Sequence, residues 1–214
     1  MMEKIYGLLR RIWQMAAMWN DRMFRKGASF SEWATQEEAG FSKEKGNQYQ
    51  PSTDALVKVL AKFNITSEDS IIDIGCGKGK AMYMMSHFPF RKITGFDLSE
   101  KLVGIANENF KKLDEKDAKR CLAIQADATT FDQYDEFNYF YAYNPFPEEI
   151  FKVMMSHVVD SIKRTPRTCR FIYLNPVCHE YIEANTPFKL VYKRKSLGAW
   201  FDYYCYEYRC DDAE

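Results

Sequence analysis

The feature that most constrains this chain is a glycine-rich turn at residues 71–79 (IIDIGCGKG). Three of the first four residues are isoleucine, and this apolar run predicts a buried strand. Gly75, Gly77 and Gly79 follow at alternate positions. Glycine adopts positive φ and lets the backbone approach a ligand, and the helix that follows presents unpaired amides at its N-terminus. The segment therefore predicts a ligand-binding strand–turn–helix unit.

The charge of this turn indicates which kind of ligand it binds. A dinucleotide-binding turn has the spacing G-x-G-x-x-G, whereas here the third glycine comes one residue early. Asp73 stands two residues before the first glycine. A carboxylate there would repel a diphosphate but could form an ion pair with an ammonium group. The turn therefore indicates a ligand with an amino-acid moiety.

Two other side chains in the turn have alternative interpretations. Cys76 could be a nucleophile whose pKa is lowered by the helix N-terminus, or it could simply be a small residue that faces the sheet, which we favour. Lys78 could neutralise a ligand carboxylate, or it could be a solvated lysine.

Strands and helices alternate after residue 50, which predicts a parallel, doubly wound α/β sheet. Helices are predicted at 80–88, 100–113 and 179–184. Two more are predicted to begin after Pro51 and near Pro147, which would lie in the first turn of its helix. The last two strands are joined by a short link and must be antiparallel. We therefore expect a Rossmann-like sheet of seven strands, mostly parallel with an antiparallel C-terminal hairpin, at residues 70–74, 93–96, 121–125, 137–143, 170–174, 188–195 and 200–209.

The N-terminal part of the chain differs from the rest. Residues 1–26 carry apolar side chains at three- and four-residue steps, which predicts an amphipathic helix. The polar residues 27–48 indicate a mobile connection anchored by Phe30, Trp33 and Phe41. We expect residues 1–48 to form a helical extension or lid, and residues 49–214 to form the Rossmann-like domain.

Composition excludes several classes of protein and site. The thirty basic residues equal the acidic ones in number. A protein that binds nucleic acid mainly through its phosphates usually has an excess of basic residues, so a nucleic-acid acceptor is disfavoured. The six cysteines and three histidines form no metal-ligand spacing, and a bound metal is not expected. Apolar stretches are too short for a membrane span. We expect the six cysteines to be free thiols and the protein to be located in the reducing cytoplasm.

The D-x-G-x-G-x-G spacing resembles the first signature motif of the class I S-adenosylmethionine-dependent methyltransferases. The resemblance implies S-adenosylmethionine as cofactor, with S-adenosylhomocysteine as product. It implies that Asp97 binds the ribose hydroxyls and that Asp127 and Ala128 recognise adenine; alternatively, either aspartate could cap a helix. The implied cofactor-binding residues are Asp73, Gly75, Cys76, Gly77, Gly79, Asp97, Leu98, Asp127, Ala128 and Asn144.

A second motif, Asn144-Pro145-Phe146-Pro147, follows the fourth strand. It resembles the N-P-P-[aromatic] motif of enzymes that methylate amino groups, although Phe146 replaces the second proline and Pro147 the aromatic residue. It also resembles the Asn-aromatic loop of non-SET protein lysine methyltransferases.

The segment Tyr49-Gln50-Pro51-Ser52, together with Asn175-Pro176, resembles uncharacterised bacterial methyltransferases. These resemblances imply that Asn144 and Tyr49 serve catalysis, and that the acceptor is a nitrogen of a protein lysine or a small-molecule amine more readily than an oxygen. The Asn-Pro pairs could instead be ordinary turns. A non-catalytic S-adenosylmethionine-binding or protein-interaction module and, more remotely, a nicotinamide oxidoreductase are the alternative functions. The oligomeric state is left open.

Overall fold

A computed structural model describes residues 15–21, 26–196 and 201–210. Residues 15–21 are helical. Seven strands follow: β1 Ser70–Ile74, β2 Lys92–Asp97, β3 Cys121–Gln125, β4 Tyr139–Tyr143, β5 Cys169–Leu174, β6 Lys189–Arg194 and β7 Tyr203–Tyr208. The helices between and before them are α1 Gln36–Ala39, α2 Ala55–Leu60, α3 Lys80–Met85, α4 Glu100–Phe110, α5 Glu115–Ala118, α6 Glu148–Arg164 and α7 His179–Asn185.

The strands form one sheet in the order β3-β2-β1-β4-β5-β7-β6. The first five strands along the chain pair in parallel, and β7 runs antiparallel to both β5 and β6. The predicted sheet and its antiparallel end are therefore confirmed. Chain order reverses between β1 and β4, and such a switch point opens a crevice at the carboxyl ends of the strands.

The central strands are buried because helices cover both faces of the sheet. Every residue of β1 is buried, which explains its isoleucines. A buried aromatic cluster packs on one face, where the rings of Phe96 and Phe131 stack at 4.5 Å. On the other face, Phe90 packs edge-on against Tyr139 at 5.3 Å. Aromatic residues make up 16% of the chain, and many of them are buried in this core.

Residues 26–48 differ from the predicted mobile connection, because they pack against the sheet domain. The Asp21 carboxylate accepts hydrogen bonds from the amides of Phe30 and Ser31 at 3.0 and 2.6 Å. Phe30 is fully buried, and its carbonyl accepts a hydrogen bond from the Tyr49 hydroxyl at 2.7 Å. Helix α1 has a capping box closed by Thr35. The segment also contacts α4, because the Ser29 amide donates to Asn109 Oδ1, 80 residues away, at 2.8 Å, and sequence periodicity cannot detect a contact over such a separation.

Several predicted boundaries shift. The helix predicted over 80–88 ends at Met85, and Pro147 is the N-cap of α6, not a residue of its first turn. Helix α5 was not predicted. The remainder of the predicted helix 1–26, and residues 197–200 before the last strand, lie outside the described residues.

The described part of the chain has neither a candidate membrane span nor a candidate metal site. No helix there is long and apolar enough to cross a membrane. The same residues contain no group of three or more side chains that could hold a metal ion.

Candidate active site

A cavity of about 350 Å³ lies at the carboxyl edge of the sheet, above β3, β2, β1 and β4. Neighbouring strands each contribute a loop to it, so a ligand that crosses the edge meets four loops in succession. The predicted site residues that line this cavity are Tyr49, Gly75, Asp97, Leu98, Asp127, Ala128 and Asn144.

The glycine turn after β1 has the backbone conformation that only glycine adopts readily. Gly75 and Gly77 have φ of 75° and 52°. A Cβ on Gly75 would overlap Pro145, and one on Gly77 would overlap the Tyr49 ring. Gly79 caps α3 and packs against Phe110, so it lies outside the cavity lining. The first two glycines thus allow three chain segments to meet at the cavity wall.

Asp97 joins the turn to the next strand. One oxygen of its carboxylate accepts a hydrogen bond from the Gly77 amide at 2.9 Å, and the other accepts one from the Ser99 amide at 2.9 Å. The N-cap of α4 is Ser99, whose hydroxyl accepts from Leu102 N. Burial raises the pKa of Asp97, while the two amide bonds lower it. Each carboxylate oxygen keeps a second lone pair, which suits a pair of ligand hydroxyls.

Asp127 lies at the far end of the cavity. Its Oδ1 accepts from the Thr129 hydroxyl at 2.6 Å and from the Thr129 amide at 2.8 Å. These bonds hold the pKa of Asp127 below its usual value, and Lys45 Nζ, 3.8 Å from Oδ2, lowers it further. The Asp127 carboxylate therefore stays ionised, so it can accept a hydrogen bond from a ligand amino group.

Asp73 lines a second, small cavity of about 20 Å³ that shares Gly75 and Tyr143 with the main one. Asp73 is 1% exposed, and its Oδ2 has no hydrogen-bond partner. Burial, and then repulsion by Asp97, raise its pKa well above the ordinary value. An unsatisfied buried carboxylate oxygen is costly, and a ligand ammonium would satisfy it. The residues present therefore fit S-adenosylmethionine, whose amino-acid end carries that group.

The loop after β4 lies beside the glycine turn. Asn144 has φ of 35°, a left-handed conformation that asparagine tolerates better than most residues. Its Oδ1 accepts from the Tyr173 hydroxyl at 3.5 Å. Asn47 holds the loop from the other side, because its side-chain amide donates to the Asn144 carbonyl at 2.7 Å and its backbone amide to the Pro145 carbonyl at 2.8 Å. The carboxamide of Asn144 thus sits on a braced loop.

Tyr49 contributes its ring to the site, since its hydroxyl is bonded to the Phe30 carbonyl. The ring lies against Gly77. On the same wall, the Tyr143 hydroxyl donates to Gln50 Oε1 at 3.1 Å. Burial raises the pKa of both tyrosines, so both hydroxyls stay neutral.

The side chains of Cys76 and Lys78 are both buried. Cys76 is buried, burial raises the pKa of its thiol well above the usual value, and its Cβ packs closely against Gly95. The structure therefore favours a small residue that faces the sheet. Lys78 is 4% exposed and pairs with Glu32 at 3.3 Å, so it is not a solvated lysine.

Sequence reasoning missed residues that reach the site from the N-terminal segment, among them Lys45 and Asn47, and it gave Gln50 no role of its own. It also missed Lys80, which lines the small cavity. The polar run before Tyr49 was the available signal, but composition alone does not show that it folds over the strand ends. The structure brings most predicted site residues to one crevice, and their individual roles stay predictions.

Comparison with known proteins agrees with this geometry. Residues 71–165 match a family described as a methyltransferase domain. A probable S-adenosylmethionine-dependent methyltransferase of Saccharomyces cerevisiae, CRG1, is 36% identical over 73 residues. That match covers 33% of this chain and 25% of the yeast protein, so it spans a quarter of the curated relative.

Solved structures share the fold at low identity. An RNA methyltransferase from Salinibacter ruber, in complex with S-adenosylhomocysteine, is similar with a TM-score of 0.53 and 14% identity, over 74% of this chain and 92% of that one. The glycopeptide N-methyltransferase MtfA has a TM-score of 0.57 and 9% identity, over 73% and 94% of the two chains. These similarities establish the fold alone. Together with the sequence matches, they support the prediction made from the motifs: residues 71–165 match a methyltransferase domain, and the sheet around them has the fold of S-adenosylmethionine-dependent methyltransferases.

Proposed function

We propose that the protein transfers the methyl group of S-adenosylmethionine to an amine nitrogen, either of a protein lysine or of a small molecule. When bound, the cofactor supplies an electrophilic methyl group on a sulfonium. Asp97 would hold the ribose, Asp127 and Ala128 the adenine, and Asp73 the ammonium group. The observation that carries the proposal is Asn144, braced beside the glycine turn with its carboxamide at the cavity.

The titratable lining of the main cavity favours nitrogen over oxygen as the acceptor. It consists of Asp97, Asp127, Lys45, Tyr49 and Tyr143 among the described residues. None of the three histidines, all of which are described, belongs to this lining. An alcohol requires a base to remove its proton, whereas an unprotonated amine already offers a lone pair. Asn144 Oδ1 would accept a hydrogen bond from the amine and orient that lone pair, and the walls would exclude water.

Residues 1–48 would act as a cover for this site, and residues 49–214 as the methyltransferase domain. The contacts from Asn47 to the loop after β4 support a cover. We also propose a cytoplasmic location, because all six cysteines are unpaired thiols and five are buried. The equal numbers of basic and acidic residues support a protein or small-molecule acceptor over nucleic acid.

The direct test is a transfer assay with the full chain, radiolabelled S-adenosylmethionine and a cell lysate fractionated into protein, RNA and small molecules. We expect label in the protein or small-molecule fraction, recovered after hydrolysis as a methylated amine. Label in RNA alone, or in a base-labile methyl ester, would contradict an amine acceptor. Binding of S-adenosylhomocysteine with no transfer to any fraction would favour the non-catalytic module.

Replacing Asn144 with glycine tests its role without straining the left-handed backbone. We expect turnover to fall by at least about tenfold, because the lost hydrogen bond acts in the reacting geometry. Affinity for S-adenosylhomocysteine should stay within a few-fold. Lys26→Gly is the matched control, since Lys26 is likewise left-handed, with φ of 52°, and is not among the residues that line the cavity. Equal turnover in the Asn144 variant and the wild type would remove Asn144 from the mechanism.

A further inference from the structure

Asn175 lines the main cavity, and the proposed transfer gives it no role. Strands β4 and β5 pair in parallel, and Tyr143 of β4 lies opposite Leu174 of β5 in their register. Asn144 and Asn175 are the residues that follow this pair, and both line the cavity. Because neighbouring strands lie about 4.8 Å apart, the two asparagines leave the sheet side by side.

The backbone of Asn175 is hydrogen-bonded on both sides, whereas its side chain is not. Its amide donates to the Asp202 carbonyl at 2.9 Å, and its carbonyl accepts from the Val177 amide at 2.8 Å. Its φ of 53° is a left-handed conformation that asparagine tolerates better than most residues. The carboxamide has no hydrogen-bond partner among the described residues. The fold therefore fixes the Asn175 backbone at the cavity and leaves the carboxamide available to a ligand.

The neighbouring loop after β4 also presents a carboxamide rather than its backbone. Asn47 donates to the Asn144 carbonyl at 2.7 Å and to the Pro145 carbonyl at 2.8 Å, so both of these backbone acceptors are engaged. The Tyr173 hydroxyl donates to Asn144 Oδ1 at 3.5 Å, a long bond that leaves the oxygen a second lone pair. At the ends of β4 and β5, a ligand N–H group therefore meets two side-chain acceptors, the Oδ1 atoms of Asn144 and Asn175.

Both acceptors are uncharged, which suits an amine that must keep its lone pair. Among the described residues, the aspartates of the main cavity belong to other strands, since Asp97 ends β2 and Asp127 follows β3. A carboxylate beside the amine would favour its protonated form, which has no lone pair. A carboxamide oxygen accepts an N–H group without a full negative charge, so it binds the amine and leaves it able to react.

We infer that Asn144 and Asn175 together bind a primary amine, each Oδ1 accepting one N–H group, and that the protein therefore adds a single methyl group. A neutral primary amine has two N–H groups and one lone pair. One hydrogen bond lets the amine rotate about that bond, whereas two fix the direction of its lone pair. The inference rests on the proposed function and deepens it, because it makes Asn175 a specificity determinant and the primary amine the acceptor class.

The stoichiometry of the transfer explains why a second methyl group is disfavoured. The nitrogen forms the new bond to the methyl carbon with its lone pair, the C–S bond breaks, and that electron pair stays on sulfur. The positively charged nitrogen then loses a proton to water, which leaves a secondary amine with one N–H group. With its lone pair aimed at another methyl group, this product satisfies only one of the two Oδ1 atoms and places its own methyl group against the other. An acceptor left unsatisfied in this way is costly.

The number of methyl groups that the full chain adds tests the inference. The probe is excess S-adenosylmethionine with a deuterated methyl group, incubated with the protein and small-molecule fractions of a cell lysate. Hydrolysis and mass spectrometry then identify the labelled amines. We expect the wild type to produce amines with one deuterated methyl group and no second methyl group. In Asn175→Gly we expect turnover to fall by at least about tenfold and the ratio of dimethylated to monomethylated amine to rise by at least about tenfold, because only the primary amine loses a hydrogen bond.

Two further variants separate the acceptor oxygen of Asn175 from its backbone conformation. Asn175→Asp keeps an acceptor oxygen and tolerates the left-handed backbone, so it should still add a single methyl group. Its charge favours the protonated amine, so its turnover at neutral pH should be lower than that of the wild type. Lys26→Gly changes a left-handed residue outside the cavity lining and should leave both turnover and product unchanged.

Dimethylated amine from the wild type would overturn the inference and leave the proposed function standing. Single methylation alone by a folded Asn175→Gly variant would also overturn it, because Asn175 would then not determine the product. If Asn175→Gly does not fold, the wild type and Asn175→Asp decide, since dimethylated product from either contradicts the paired acceptors. Label that appears in no amine contradicts the proposed function, and the inference fails with it.

Discussion

Replacing Gly77 with alanine is expected to abolish measurable binding of S-adenosylhomocysteine and to lower the free energy of unfolding by at least about 2 kcal/mol. Gly77 has φ of 52°, and the added Cβ would overlap the ring of Tyr49. The left-handed backbone alone costs an alanine about 1–2 kcal/mol, and the Tyr49 ring must also move. The displaced turn would weaken the bond from the Gly77 amide to Asp97, so the ribose end of the site would be lost with it.

The matched control is Gly104→Ala on helix α4. The Cβ at Gly104 would contact nothing within 4 Å, and Gly104 is exposed. Because alanine favours helix over glycine, we expect this variant to gain up to about 1 kcal/mol of stability and to keep its ligand affinity. Chemical denaturation and calorimetry measure both quantities. A Gly77 variant as stable as the wild type, with normal ligand binding, would show that the turn and Tyr49 do not form the cavity wall.

Replacing Asp73 with asparagine is expected to change stability and binding in opposite directions. The change keeps the shape of the side chain and removes a buried carboxyl whose Oδ2 is unsatisfied. We expect the ligand-free protein to melt at a temperature a few degrees higher, and S-adenosylhomocysteine to bind at least about tenfold more weakly, because a charged hydrogen bond contributes about 1.5–3 kcal/mol. Thermal denaturation with and without ligand measures both effects.

The difference in melting temperature between Asp73→Asn and the wild type should depend on pH, which a change in packing alone would not produce. Burial and Asp97 raise the pKa of Asp73, so the folded state holds the proton more tightly than the unfolded chain. The contribution of this group to stability is therefore greatest below its ordinary pKa, near 3.8, and is lost as pH rises through the raised value. The melting advantage of the variant should thus be larger at neutral pH than at an acidic pH near the ordinary value of 3.8. A variant that melts lower at both pH values and binds normally would make Asp73 a structural residue.

The fold was predictable because its signals are local. Strand–helix alternation and the glycine spacing around Gly75 mark β1, the turn and α3 in one continuous stretch, and the strands after it follow the same pattern. The C-terminal hairpin was predictable because the link between the last two strands is too short for a crossover connection. These features depend on residues a few positions apart, which sequence periodicity reveals.

The part of the site that could not be predicted depends on contacts between distant segments. Asn47 and Asn144 are 97 residues apart and bond through a side-chain amide. Lys78 and Lys80 stand on either side of Gly79, and a lysine is normally solvated, yet both are buried here. Their burial depends on Glu32, Tyr49 and the small cavity, whose positions only the folded chain determines.

Calorimetric titration of the full chain with S-adenosylhomocysteine tests whether this crevice is an S-adenosylmethionine site built on the glycine turn. We predict saturable binding to one site in the wild type, no detectable binding in Gly77→Ala, and unchanged binding in Gly104→Ala. Ligand at a hundredfold excess over its dissociation constant should also stabilise the wild type by about 2.7 kcal/mol. A wild type that neither binds millimolar S-adenosylhomocysteine nor gains thermal stability from it would contradict the account.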